Sequence, residues 1–180
     1  MTKKQRQLSL QTNKLKLSFW DKVSHFGIVG FLFLIPLMFV FFHLKDAING
    51  TPKSLKEGEI YFLLIPTLLG LLFYKVQLDR LKFKEVHTML SRKELADIIE
   101  KVGTELKWHP EEISDDIVIA KTHPSFFSGS WGEQITILFG KNKVLVNSIC
   151  DPDQKSSVVS MGRNKKNINT LVKEIESASR

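Results

Sequence analysis

A single cysteine, Cys150, stands in 180 residues, so no intramolecular disulfide can form and the chain needs no oxidising compartment. Nowhere do histidine and cysteine show the close paired spacing of a zinc site, and His109, His123 and Cys150 are too scattered for a metal to be expected. The alternation of strand and helix that a dinucleotide fold requires is missing. Gly129-Ser130-Trp131-Gly132 has neither the spacing nor the strand-to-helix setting of a nucleophile elbow. Repeats, low-complexity tracts and lipidation boxes are absent as well. With no metal, no cofactor and no catalytic motif to expect, a non-enzyme is the favoured reading.

The absence that organises the chain is one of charge. Residues 26–44, FGIVGFLFLIPLMFVFFHL, hold no formal charge, and residues 60–78, IYFLLIPTLLGLLFYKVQL, hold only Lys75, placed near an end where it can snorkel. As helices these runs reach roughly 28 Å, close to a hydrocarbon core of about 30 Å. The fold class expected is therefore a membrane hairpin of two transmembrane helices, followed over 79–180 by a soluble α+β domain and preceded over 1–17 by a loosely ordered basic tail. A cleaved signal peptide fits poorly, because the first run starts late and LKDAING after it offers no small-x-small site.

The formal charge of +7 is unevenly spread. Residues 1–25 carry six basic and one acidic side chain, the connector 45–59 three of each, and residues 75–93 six basic against two acidic. Residues 94–180 are mildly acidic, with eleven basic and thirteen acidic side chains. Positive charge thus flanks the apolar runs and avoids the soluble domain, which is the positive-inside pattern and not a nucleic-acid footprint. The expectation is a multi-pass protein of the cell membrane with both termini cytoplasmic. Its partners would be the lipid bilayer and a second copy or another membrane protein, with no nucleic acid.

Local chemistry predicts the elements. Ser18 with Asp21, and Ser91 with Glu94, are capping pairs, so helices should start near Phe19 and Arg92, the second ending at about Val102 with Gly103 as its stop. The segment 82–88 is left open between strand and helix. Short apolar runs at 105–109, 117–121, 133–140 and 143–150 predict strands, with His109-Pro110 and His123-Pro124 as strand-end turns and Gly140-Lys141-Asn142 as hairpin chemistry. Ile168, Leu171, Val172 and Ile175 place an apolar stripe on a helix over 164–176. The order β-α-β-β-β-β-α suggests an antiparallel sheet with both helices on one face. Pro36 and Pro66 lie at similar depth in the two runs, and Thr67 is placed to help satisfy a carbonyl freed by Pro66.

Few residues stand out as site candidates. The aromatic Gly/Ser-rich loop 125–132, with Phe126, Phe127 and Trp131, could cover a pocket, rest on the membrane or pack the domain's own edge. Arg163 and Asn164, in the basic stretch opening the last helix, suit an anion, the plainer alternative being that Asn164 or Asn167 caps that helix. Gly30 and Gly70 are notches where a helix could approach closely. Asp115-Asp116 and Asp151-Pro152-Asp153 read as turn carboxylates.

Around Val146-Asn147-Ser148-Ile149-Cys150, Gly162, Asn164 and Asn167, residues 91–175 resemble a bacterial, often membrane-associated family of domains of unknown function. Its pattern is a strand ending in Arg-Ser-x-Ser, then a glycine-containing loop running into Asn-x-x-Arg on the last helix. Asn147 and Asn167 stand here where that family has arginines, and the acidic residue of its loop is missing. The resemblance implies a fold and brings in Ser148 as a candidate contact, but implies no activity. Function is then expected to be binding or assembly by a membrane-tethered module. An enzyme or binder acting on a lipid headgroup is the alternative, and an accessory subunit of a transporter or membrane complex a third reading. A concavity where the aromatic loop, Ser148 and Arg163 converge would favour ligand binding or catalysis, and a filled core would favour a binding module.

Overall fold

A computed structural model describes residues 1–124 and 129–180 of the chain. Its elements run α1 (Lys3–Thr12), α2 (Phe19–His25), α3 (Gly27–Ile48), α4 (Ile60–Arg80), β1 (Lys84–His87), α5 (Arg92–Glu105), β2 (Trp108–Ile113), β3 (Ile117–Thr122), β4 (Glu133–Gly140), β5 (Lys143–Cys150) and α6 (Arg163–Ala178).

Three helices start where a hydroxyl and a side chain three residues on exchange hydrogen bonds with the backbone: Ser18 with Asp21, Ser91 with Glu94, and Thr2 with Gln5. The last pair opens a helix where a loosely ordered tail is expected, and the Thr-x-x-Gln signal for it was in plain view. The helix begun at Phe19 does not run on into the apolar stretch but breaks at Phe26, so that α2 is a short separate segment.

α3 and α4 pack antiparallel. Phe26 meets Tyr74 at 5.7 Å, and a Cβ added at Gly70 would lie 3.1 Å from the Phe33 ring. Gly70 is thus the point of close approach inside the hairpin, whereas Gly30 faces open space. Both helices are long and apolar enough to cross a membrane, and only 11% of the most apolar stretch of each is buried, unlike a core helix of a soluble protein. The Thr67 hydroxyl bonds the Leu63 carbonyl at 2.6 Å; Pro66 orphans the carbonyl of Phe62, one residue earlier, which Thr67 does not serve.

The segment 82–88 resolves as strand: β1 pairs antiparallel with β5. The sheet is antiparallel throughout, in the spatial order β1-β5-β4-β3-β2. Two expectations at its edge are corrected. Helix α5 runs through Gly103 to Glu105, since Gly103 packs against Trp108 and its φ stays helical. The strand expected at 105–109 begins at Trp108 and continues through His109-Pro110 as the edge strand β2, where a missing N–H on the solvent side costs no ladder bond and a bulge follows between Pro110 and Glu112.

Alternation along the strands makes two apolar faces. Val118, Ala120, Ile135, Ile137, Val144 and Val146 face α5 and α6, which cover one side. Ile117, Ile119, Leu138, Leu145 and Ile149 face the other way, where Phe83, Leu15 and Leu17 cover them. The amino-terminal arm is therefore part of the core. It is joined by backbone hydrogen bonds from Leu15 N to Leu81 O and from Phe83 N to Asn13 O, and by ion pairs of Arg6 with Glu112 and with Asp116. The Arg6 guanidinium, by hydrogen bonding it, holds the Asp116 carboxyl below its ordinary range.

Candidate functional site

Two consecutive residues near the end of β5 point to opposite faces and do different work. Ser148 turns toward α6, where its hydroxyl donates to Asn164 Oδ1 at 2.9 Å and accepts from Asn167 Nδ2 at 3.1 Å. Asn167 Oδ1 in turn accepts from Trp108 Nε1 at 3.2 Å. Asn164 and Asn167 are three apart and so share the sheet-facing side of α6. Neither caps it: the N-cap is Gly162, at φ +79°, a conformation suited to glycine, and no side chain bonds the first turn. The four positions form a buried polar strut that fixes α6 on the sheet. Among the described residues no base hydrogen-bonds Ser148, and its proton is committed to Asn164.

Asn147 turns the other way and donates to the carbonyls of Arg80 at 2.7 Å and Lys82 at 2.9 Å. It therefore ties the sheet to the end of α4. Further bonds tighten the same junction. Gln77, fully buried, donates to the carbonyls of His25 and Ser157; His25 Nε2 lies 3.1 Å from the Gln77 carbonyl; and Ile28 N donates to Ser156 Oγ at 3.1 Å. Burial lowers the pKa of His25, opposed by its bond to the Gln77 carbonyl and aided by the charge of Arg80.

Arg163 leaves this strut and reaches the fully buried Glu133, donating from Nε at 3.1 Å; the hydroxyls of Thr122 and Ser130 also donate to that carboxylate. One edge of its guanidinium is thus tied to an internal acid. Asp151 and Asp153 are likewise more than turn formers: with Glu111 they surround Lys121. Burial opposes the charge of that lysine, but the bonds to Asp153 and Glu111 prevail and raise its pKa. Burial pushes the Cys150 thiol up, so it stays protonated at neutral pH and is no nucleophile.

The sequence-derived candidates do not converge on one concavity. Ser148 and Asn164 meet, Arg163 turns to Glu133, and the half-exposed Trp131 ring lies under Lys155, 4.5 Å away. Phe126 and Phe127 lie outside the described residues. No group of three His, Cys, Asp or Glu side chains able to hold a metal occurs among the described residues.

Two cavities lie against this framework. One, of about 630 Å³, lies between the arm and β2 to β4. The other is a groove of about 510 Å³ at the point where α4 leaves the apolar run, between Asp79, Arg80 and Lys82 on one side and Met161 and Lys165 on the other. The groove joins charge to exposed apolar side chains; the sequence-derived candidates Ser148 and Asn164 line it, whereas Arg80 and Lys82 went unnoticed because they come from a segment some 80 residues earlier. No family model matches the chain, and no curated protein matches it.

Proposed function

We propose that this chain is a two-span membrane protein with both termini in the cytoplasm, whose α+β domain is a binding and assembly module held rigidly against the membrane surface. The observation that carries this reading is the junction. Asn147, Gln77 and Ser156 bond sheet, loop and both apolar helices into one body, with no flexible linker between them. A domain fixed in this way presents the same faces to the bilayer and to a partner at all times, which lowers the entropy lost on binding. Catalysis draws less support, since Ser148, Glu133 and Cys150 each spend their reactive groups on internal contacts. The basic flanks and the neutral connector support the orientation.

Impermeant thiol labelling of intact cells tests it. A cysteine at Asn49, between the helices, should react from outside, and one at Lys155 only after permeabilisation, with the buried Cys150 silent in both. The reverse pattern overturns the orientation, and labelling of both positions overturns the two-span reading.

A further inference from the structure

We infer that the groove at the end of α4 holds the headgroup of an anionic phospholipid drawn from the bilayer; this rests on the two-span reading. The first support is position. Arg80 closes α4 just beyond the apolar run, and the groove opens there, at the depth where a spanning helix meets lipid phosphates.

The second support is charge. Arg80, Lys82 and Lys165 line the groove against one carboxylate, Asp79, which Lys82 already holds at 2.7 Å. Among the described residues, Arg80 Nη1 hydrogen-bonds the Cys150 sulfur alone, at 3.8 Å, and neither Arg80 nor Lys165 has a carboxylate partner. Two cations therefore remain for a phosphate oxygen to meet.

The third support is the apolar wall. Val159 and Met161 line the groove while 50% and 67% exposed, beside the half-buried Ile168. A free phosphate has no use for such a wall; a lipid lays its glycerol and upper acyl carbons against it. The same junction carries α2, whose Ser24 bonds the Gln154 carbonyl and whose Phe19 and Trp20 stand 70% and 75% exposed. Aromatics so placed belong at the interface of a bilayer.

The test is native mass spectrometry of the full chain in mild detergent, titrated with phosphatidylglycerol, phosphatidylcholine or inorganic phosphate. A one-to-one phosphatidylglycerol adduct is expected at concentrations where phosphatidylcholine and phosphate give none. Arg80→Gln with Lys165→Gln should weaken it about tenfold to thirtyfold, at roughly one surface charge's worth of attraction per residue. Asn147 bonds the Arg80 backbone, so this variant keeps the junction, and an unchanged melting midpoint verifies that. The charge-matched Lys3→Gln with Lys4→Gln, on the exposed side of α1, should bind like the parent. Equal binding of the two lipids, an unaffected groove variant, or equal losses in both variants overturns the inference. Displacement by millimolar phosphate reassigns the groove to a free anion and overturns the lipid. Alkaline carbonate extraction separates the levels. A chain washed from membranes refutes the two-span reading and this inference with it; a chain that stays embedded without lipid preference refutes the inference alone.

Discussion

Cutting the amino-terminal arm away should cost the soluble domain about half of its stability. Leu15 and Leu17 are 4% and 7% exposed against Ile117, Ile119, Leu138, Leu145 and Ile149. Fully burying a leucine is worth about 1.5–3 kcal/mol, so the pair contributes roughly 3–6 kcal/mol. The ion pairs of Arg6 with Asp116 and of the Met1 amine with Glu112 add about 0.2–1 kcal/mol each. A domain is stable by about 5–15 kcal/mol, so a loss of roughly 3–8 kcal/mol takes about half of it at the middle of both ranges and leaves one apolar sheet face in water. The assay compares residues 79–180 alone with a chimera in which residues 1–17 are joined to 79–180 through a short Gly/Ser linker. That joint is geometrically simple, because Lys14 and Lys82 already face each other in a backbone bridge. The chimera should be monomeric and melt cooperatively, the bare fragment should aggregate or melt without cooperativity, and Leu17→Asp in the chimera should reproduce the bare fragment. A bare fragment that is soluble and melts at the chimera's midpoint would refute the argument that the arm completes the core.

Two further outcomes follow. In the hairpin, Gly70→Leu should push α4 off the Phe33 ring and destabilise by about 1–3 kcal/mol, whereas Gly30→Leu meets open space and should leave the melt unchanged; equal effects of both would deny Gly70 its packing role. At the junction, burial keeps His25 neutral, its pKa held below the ordinary value of about 6.5. The unfolded chain then takes up a proton that the folded one resists, so this contribution is full above pH 6.5 and is lost as pH falls through it. Melts of the full chain from pH 8 to 5 should show the decline and His25→Gln should flatten it; parallel pH profiles in the two proteins would remove His25 as the cause.

What was legible followed from local rules. Capping pairs at Ser18 and Ser91 set helix starts to the residue, and the β-branched runs at 133–140 and 143–150 matched their strands because alternation and turn chemistry agree there. Misreadings arose where a distant partner overrode the local signal. Gly103 reads as a stop, but it sits under Trp108 and the helix passes through. Asn164 and Asn167 read as caps, but Ser148 and Trp108 claim them. Arg163 reads as a free cation, and a buried glutamate 30 residues earlier takes it. In each case the local residue type was right about what the side chain can do and silent about whom it meets.

The arm is the sharpest instance, and it explains why the two apolar helices matter to the fold. Leu15 and Leu17 alternate over too few positions to distinguish a strand from a basic tail. They become core only because α3 and α4 run antiparallel and return the chain to its starting level, setting Lys14 opposite Lys82. A flexible connection between those residues would charge the arm a closure entropy of about (3/2)RT ln n, near 4 kcal/mol for n of roughly 68, comparable to what its two leucines contribute. A packed hairpin removes much of that cost because its ends are already together. Hence the arm should dock only after the helices have paired, and Gly70→Leu, which loosens the pair, should also weaken the protection of the Leu15 amide that bonds the Leu81 carbonyl. Hydrogen exchange at that one amide reads the coupling: exchange unchanged in the variant would mean that the arm holds the sheet without help from the hairpin.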